Sequence, residues 1–164
     1  MRQLPDRSDV AARLVARRIG GLRASAASGG QQAGYAYMGA EYRASLWGGT
    51  AASWVDLNPA GAMDSYVYAI SGRRQVGEAR VGGVLRASLW SGTADSWVDL
   101  HAFVPAQFTS SQARAISSDG VNLYVAGYGV NGGFRNEALL WTRPLPCPAP
   151  RTCTGSRRSR CWRC

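Results

Sequence analysis

Residues 42–58 read YRASLWGGTAASWVDLN, and residues 85–101 read LRASLWSGTADSWVDLH. Thirteen of these 17 positions are identical at a constant offset of 43 residues. Trp47 matches Trp90, Trp54 matches Trp97 and Asp56 matches Asp99 in that register. The chain therefore carries an internal duplication, and a repeated unit dictates the architecture before any other signal is weighed. The register runs backward through Gly34 and Gly77, which link GGQQAGYA (29–36) to GRRQVGEA (72–79). A third, more divergent copy opens at ARAISSDGVNLYVAGYG (113–129) and reaches EALLWTR (137–143), where Trp141 lies 51 residues after Trp90. Its eight extra residues are expected in turns, where insertions are tolerated.

Within a unit, short apolar or alternating runs are separated by Gly, Ser, Asn or Asp, which is the pattern of strands and tight turns. In the second copy four strands are predicted, SYVYAIS (65–71), RQVGEARV (74–81), LRASLWS (85–91) and SWVDLHAF (96–103). Gly72, Gly82, Gly83 and Gly92 supply the turns. Four strands in about 40 to 45 residues is the dimension of one propeller blade. The predicted fold is all-β: an incomplete propeller-like array of two four-stranded blades and most of a third, with units at about 24–61, 62–104 and 105–142. Closed propellers have about four to eight blades. The chain is accordingly read as part of a longer array, an open stack, or a protomer that completes a ring with other copies. Open strand edges point to self-association.

The flanks differ from the repeat. Residues 1–23 form a basic segment in which SDVAARLVARRIGG (8–21) has helical spacing, with Ala11, Leu14, Val15 and Ile19 on one face and Gly20-Gly21 as the stop. An eroded first strand of a blade fits the same stretch. Residues 143–164 are rich in Pro, Arg and Cys, without alternation, and are expected to be a disordered tail.

The net charge of +9 comes from 19 basic residues, all of them Arg. Six lie in residues 1–23 and six from Arg143 onward, whereas residues 24–142 hold seven Arg against eight acids. The basicity belongs to the flanks, so nucleic acid is not the expected partner of the repeat. No apolar run approaches the roughly 20 residues that cross a bilayer. Residues 10–19, VAARLVARRI, are interrupted by three Arg where a secretory signal would be uninterrupted.

The sequence resembles the bacterial extracellular repeat proteins of the HAF-repeat family, whose unit carries an A-x-L-W … D-L core between glycine turns. The matching residues are Ala44-Ser45-Leu46-Trp47 with Val55-Asp56-Leu57, Ala87-Ser88-Leu89-Trp90 with Val98-Asp99-Leu100, and Ala138-Leu139-Leu140-Trp141 with no D-L segment after it. The resemblance spans about residues 24–142. It implies a propeller-like fold and an extracellular or surface-attached parent protein, and it brings no enzymatic site. Two departures are the lack of an export signal and a last copy that stops at its third strand.

Each chemically suggestive residue has a reading within the repeat. Trp47 and Trp90 follow apolar pairs and are expected to pack between blades, while Trp54 and Trp97 open the next strand and could be exposed. Together with Tyr35, Tyr37, Tyr66 and Tyr68 these rings could stack on a glycan. Asp56 and Asp99, one per unit, suit strand ends whose carboxylates bind backbone N–H groups, because acid and base catalysis needs two carboxylates close together. His101, the single histidine, replaces Asn58 of the preceding copy, and no nucleophile motif accompanies it. Cys147, Cys153, Cys161 and Cys164 have the spacing C-x5-C-x7-C-x2-C. They admit a zinc site, a disulfide, or the end of a truncated or frame-shifted gene. The glycine runs GEARVGG (77–83) and GYGVNGG (127–133) read as hairpin turns, since no Lys and no helix follow them.

No catalytic, cofactor-binding or metal-binding residue is assigned. An active site on the central axis of a propeller would require polar residues that break the repeat at matched inner-strand positions, and those positions read as Ala, Ile, Val and Gly. The expected function is a non-enzymatic structural or interaction module with a protein or glycan ligand. The alternative is a carbohydrate-binding surface built from the repeat Trp and Tyr residues.

Overall fold

A computed structural model describes residues 20–146. The chain is all-β and forms three antiparallel sheets in chain order. The first contains β1 (Gly20–Ser28), β2 (Gln31–Tyr37), β3 (Tyr42–Trp47) and β4 (Val55–Asp56). The second contains β5 (Ala62–Ser71), β6 (Arg74–Val81), β7 (Val84–Trp90) and β8 (Val98–Asp99). The third has β9 (Phe108–Ser118), β10 (Asn122–Asn131) and β11 (Asn136–Pro144), with no fourth strand among the described residues. Each sheet is an up-and-down meander, and the three together form an open array of blade-like units.

The boundaries refine the expectation. β1 starts at Gly20, so the last residues of the basic leading segment belong to the first sheet, and Gly20 and Gly21 of the expected helix are strand. The rest of that helix lies outside the described residues; of the tail expected to be disordered over 143–164, Arg143 and Pro144 belong to the last strand, and residues beyond 146 lie outside the described residues. The strand predicted over 96–103 shrinks to Val98–Asp99, followed by a 3-10 turn at Leu100–Phe103. The cause is Asp99, whose Oδ1 accepts from His101 N at 2.9 Å and bends the chain out of the ladder. The eight extra residues of the third copy are not confined to turns. Some lengthen the connection into β9, and others extend the β9–β10 hairpin, which closes at Ser118 and Leu123 around a wider turn than the Gly72-Arg73 turn of the second sheet.

The sheets stack face to face. In the first interface Ala33, Ala44, Leu46 and Leu57 meet Ala62, Val67, Ala79 and Trp90. In the second, Val76, Ala87, Leu89 and Leu100 meet Ala113, Leu123 and Val125, flanked by Trp141. Burial of these apolar faces is the main stabilising term. Each interface also carries a buried polar rivet. Ser65 Oγ accepts from Ala44 N at 2.9 Å and donates to Asn58 Oδ1. Ser111 Oγ accepts from Ala87 N at 3.1 Å and lies 2.8 Å from His101 Nδ1. The Ser111–His101 bond takes the place of the Ser65–Asn58 bond, with the donor set by the imidazole tautomer.

Candidate functional site

Among the first strands of the three sheets, β5 neighbours both β1 and β9, whereas β4 and β8 stand at the far edges. Each first strand carries a β-bulge at the same place in its unit. The extra residues are Ser25, Tyr68 and Arg114. Beside each bulge the second strand supplies a glycine, Gly34, Gly77 or Gly127, and a Cβ there would stand 1.8, 1.8 or 1.9 Å from a first-strand carbonyl oxygen. Bulge and glycine therefore go together, because the strands approach too closely for any side chain.

The bulges aim side chains at one common face. Three sets of matched positions meet there: the bulge residues Ser25, Tyr68 and Arg114; the residues two before them, Arg23, Tyr66 and Gln112; and their cross-strand partners Tyr35, Glu78 and Tyr128. Unlike the core, these positions vary between sheets, with only Tyr35 and Tyr128 alike. In the first sheet Arg23 Nη1 donates to Tyr35 Oη at 3.3 Å. In the second, Tyr68 Oη donates to Glu78 Oε1 at 2.7 Å. In the third, Tyr128 Oη donates to Gln112 Oε1 at 2.6 Å, and Arg114 bonds to both.

Aromatic contacts join the three sheets into one strip. The Tyr35 and Tyr66 rings meet edge-on with centroids 5.0 Å apart, and Tyr42 stacks on Tyr66 at 5.5 Å. Tyr66 and Tyr68 are parallel at 6.3 Å. The Arg114 guanidinium lies 4.0 Å over the Tyr68 ring, a cation–π contact between the second and third sheets. At the first-sheet end, Arg23, Tyr35, Tyr37 and Tyr42 line an open hollow of about 440 Å³, and Tyr42 is 39% exposed.

Burial shapes the electrostatics. Glu78 is only 6% exposed, and its Oε2 has no hydrogen-bond partner. Its carboxyl is pushed above the ordinary carboxylate range by burial, against the opposing Tyr68 bond and the Arg114 and Arg80 charges. Burial, aided by the Asp64 charge, raises the Tyr66 phenol to about 12. Tyr68 is raised by burial and by its bond to Glu78. These phenols stay neutral at physiological pH and offer both a hydrogen-bonding hydroxyl and an apolar ring face.

The remaining candidates lie elsewhere. Trp47 and Trp90 are buried at 7% and 0% exposure. Trp54 and Trp97 are half-buried, and their Nε1 atoms donate to Ser45 and Ser88 at 3.0 and 2.9 Å. Asp56 and Asp99 accept from the backbone of Asn58 and His101 and pair with Arg43 and Arg86 at 2.9 and 2.7 Å. His101 sits in the rivet between the second and third sheets, and burial lowers its basicity. Among the described residues no group of three or more His, Cys, Asp or Glu is placed to hold a metal ion. The four cysteines lie outside those residues.

No family model, no curated protein and no solved structure matches this chain. The strip itself escapes a reading based on repeated positions. Ala, Val and Ile do fill the matched inner-strand positions 24/67/113, 26/69/115 and 27/70/116, but positions 23/66/112 and 25/68/114, at the bulge and two residues before it, hold Arg, Tyr, Gln and Ser. The available signal was divergence: of the residues that directly follow the repeated glycine of the second strand, Glu78 in the second copy departs from Tyr35 and Tyr128.

Proposed function

We propose that the chain is a non-enzymatic interaction module whose ligand-contacting surface is the tyrosine and arginine strip along its inner strands. The observation that carries this reading is the segregation of sequence variation. Core positions such as Ala44, Ala87 and Ala138, and Leu46, Leu89 and Leu140, repeat between sheets, while the variable Tyr, Arg, Gln and Glu residues collect on one continuous face. Half-buried tyrosines held by neighbouring rings offer contact area at a small entropic cost on binding. A single buried carboxyl that already bonds to Tyr68 is not arranged as an acid and base pair.

Carbohydrate is the favoured ligand class within this reading, for one specific reason. The hollow at Arg23, Tyr35, Tyr37 and Tyr42 combines ring faces, which stack on the C–H faces of sugars, with phenol and guanidinium donors for hydroxyls. The repeat tryptophans Trp47, Trp54, Trp90 and Trp97 do not serve here, since their indoles are committed to the core or to Ser45 and Ser88. The resemblance to HAF repeats agrees with an extracellular setting for such binding. A glycan array probed with the purified chain tests the reading. Binding that falls at least about 10-fold on Tyr42→Ala, the typical cost of losing one aromatic anchor, supports it. Absence of any glycan binding refutes the carbohydrate assignment, and ligand binding by any class that is indifferent to Tyr42→Ala and Tyr66→Ala refutes the strip as the surface.

A further inference from the structure

The faces that join the sheets inside the chain have counterparts at both ends of the array, and each of these carries exposed apolar residues. On the outgoing side, Leu46 and Leu89 are each 5% exposed beneath the next sheet, but their third-sheet counterpart Leu140 is 65% exposed. Ala44 and Ala87 are fully buried, and the matching Ala138 is exposed. Val76 is fully buried, and the matching Ala126 is exposed. On the incoming side the contrast is confined to the first strand, since Ala36 and Trp47, the counterparts of Ala79 and Trp90, are 0% and 7% exposed. Val67 and Ala113 are fully buried, while their first-sheet counterpart Ala24 is exposed. Leu22 takes the register position of the rivet serines Ser65 and Ser111, which are fully buried, and is itself 36% exposed.

We propose that the outgoing face of the third sheet docks the incoming face of the first sheet of a second copy, head to tail. The internal interfaces show that these two kinds of face fit, since the same pairing is made twice within one chain. The end faces are apolar and small-residue-rich at the same register positions, so they can approach as closely as their internal equivalents. Leu22 replaces a polar rivet by an apolar contact, which suits a face that is solvated whenever the copies separate, because it leaves no buried hydroxyl to satisfy. Such a contact joins unlike surfaces and is heterologous.

The internal register predicts which residues meet. Ala44 N touches Ser65 Oγ at 2.9 Å, so Ala138 of one copy should face Leu22 of the next. The test uses two proteins, one with Leu22→Cys and one with Ala138→Cys, each also carrying Cys147→Ser, Cys153→Ser, Cys161→Ser and Cys164→Ser. Oxidation of the mixture is expected to give a covalent pair that neither protein forms alone. Sedimentation of the unmodified chain is expected to show a mass that rises with concentration, with association weakened at least about 10-fold by Leu140→Arg, as for loss of an interface anchor, and circular dichroism unchanged. Cross-linking within either protein alone at the expense of the mixture would mean like-to-like pairing and overturn the proposal. So would a monomer at all concentrations, the result expected if residues 1–19 or 147–164 of the same chain cover these faces. Leu22 also lines the hollow at Tyr42, so Leu140→Arg, which lies outside that hollow, separates this test from the glycan-array result.

Discussion

At the residue scale, the structure assigns work to positions where the repeat keeps a residue and to positions where it varies one. Gly77 illustrates the first: a methyl group there would collide with Tyr66 O and Val67 Cα, so Gly77→Ala is expected to cost about 3 kcal/mol in chemical denaturation. His101 illustrates the second, standing where the first sheet has Asn58. Burial lowers its folded pKa below the ordinary 6.5, so its stabilising contribution is present above that value and is lost as pH falls through the folded pKa. His101→Asn should keep the acceptor for Ser111 and remove that acid-side loss, which denaturation at about pH 7 and about pH 5 would register. Glu78 has the opposite sign, because its folded pKa is raised above 4.5. Its contribution is present below 4.5 and is lost as pH rises through the folded value, so wild type should lose stability relative to Glu78→Gln between about pH 4 and about pH 7. The sequence marks Gly77 and His101 by their place in the register. It is silent on Glu78, because burial of a carboxyl beside Tyr68 depends on a bulge that no local pattern encodes.

At the element scale, the strands β5 to β7 were legible from alternation and glycine turns, and the second strand of the unit falls on its predicted residues 74–81. The fourth strand was not. A run such as SWVDLHAF has the apolar content of a strand, yet the Asp99 side chain competes with the ladder for the backbone of His101 and converts the second half to a 3-10 turn. That turn places His101 against the serine of the following sheet, as Asn58 is placed in the preceding unit without a 3-10 turn. The joint between sheets therefore depends on a short element that ends early. Ser65→Ala would leave Ala44 N buried without an acceptor, with an expected loss of about 1 to 3 kcal/mol. Denaturation midpoints of Ser65→Ala and of the exposed control Ser117→Ala would separate this effect from that of losing any serine.

At the scale of the whole molecule, neighbours decide stability, and the second sheet has a described sheet on both faces. Amide hydrogen exchange in dilute protein is expected to be slowest in β6 and β7 and fastest in β11, whose outer edge has no paired strand among the described residues. Equal protection in β11 and β7 would contradict a stack held by nearest neighbours. The period of 43 residues made this arrangement legible, because a unit of that size forces stacking. It did not reveal the inner strip, since a repeat advertises what stays the same. The bulge opposite a glycine has a further consequence for design. It holds the backbone fixed while leaving residues 23, 25, 35, 66, 68, 78, 112, 114 and 128 free to change, so the fold works as a chassis with nine addressable sites. A library randomised at those sites, with the framework untouched, would sample new binding specificities without redesigning a single strand.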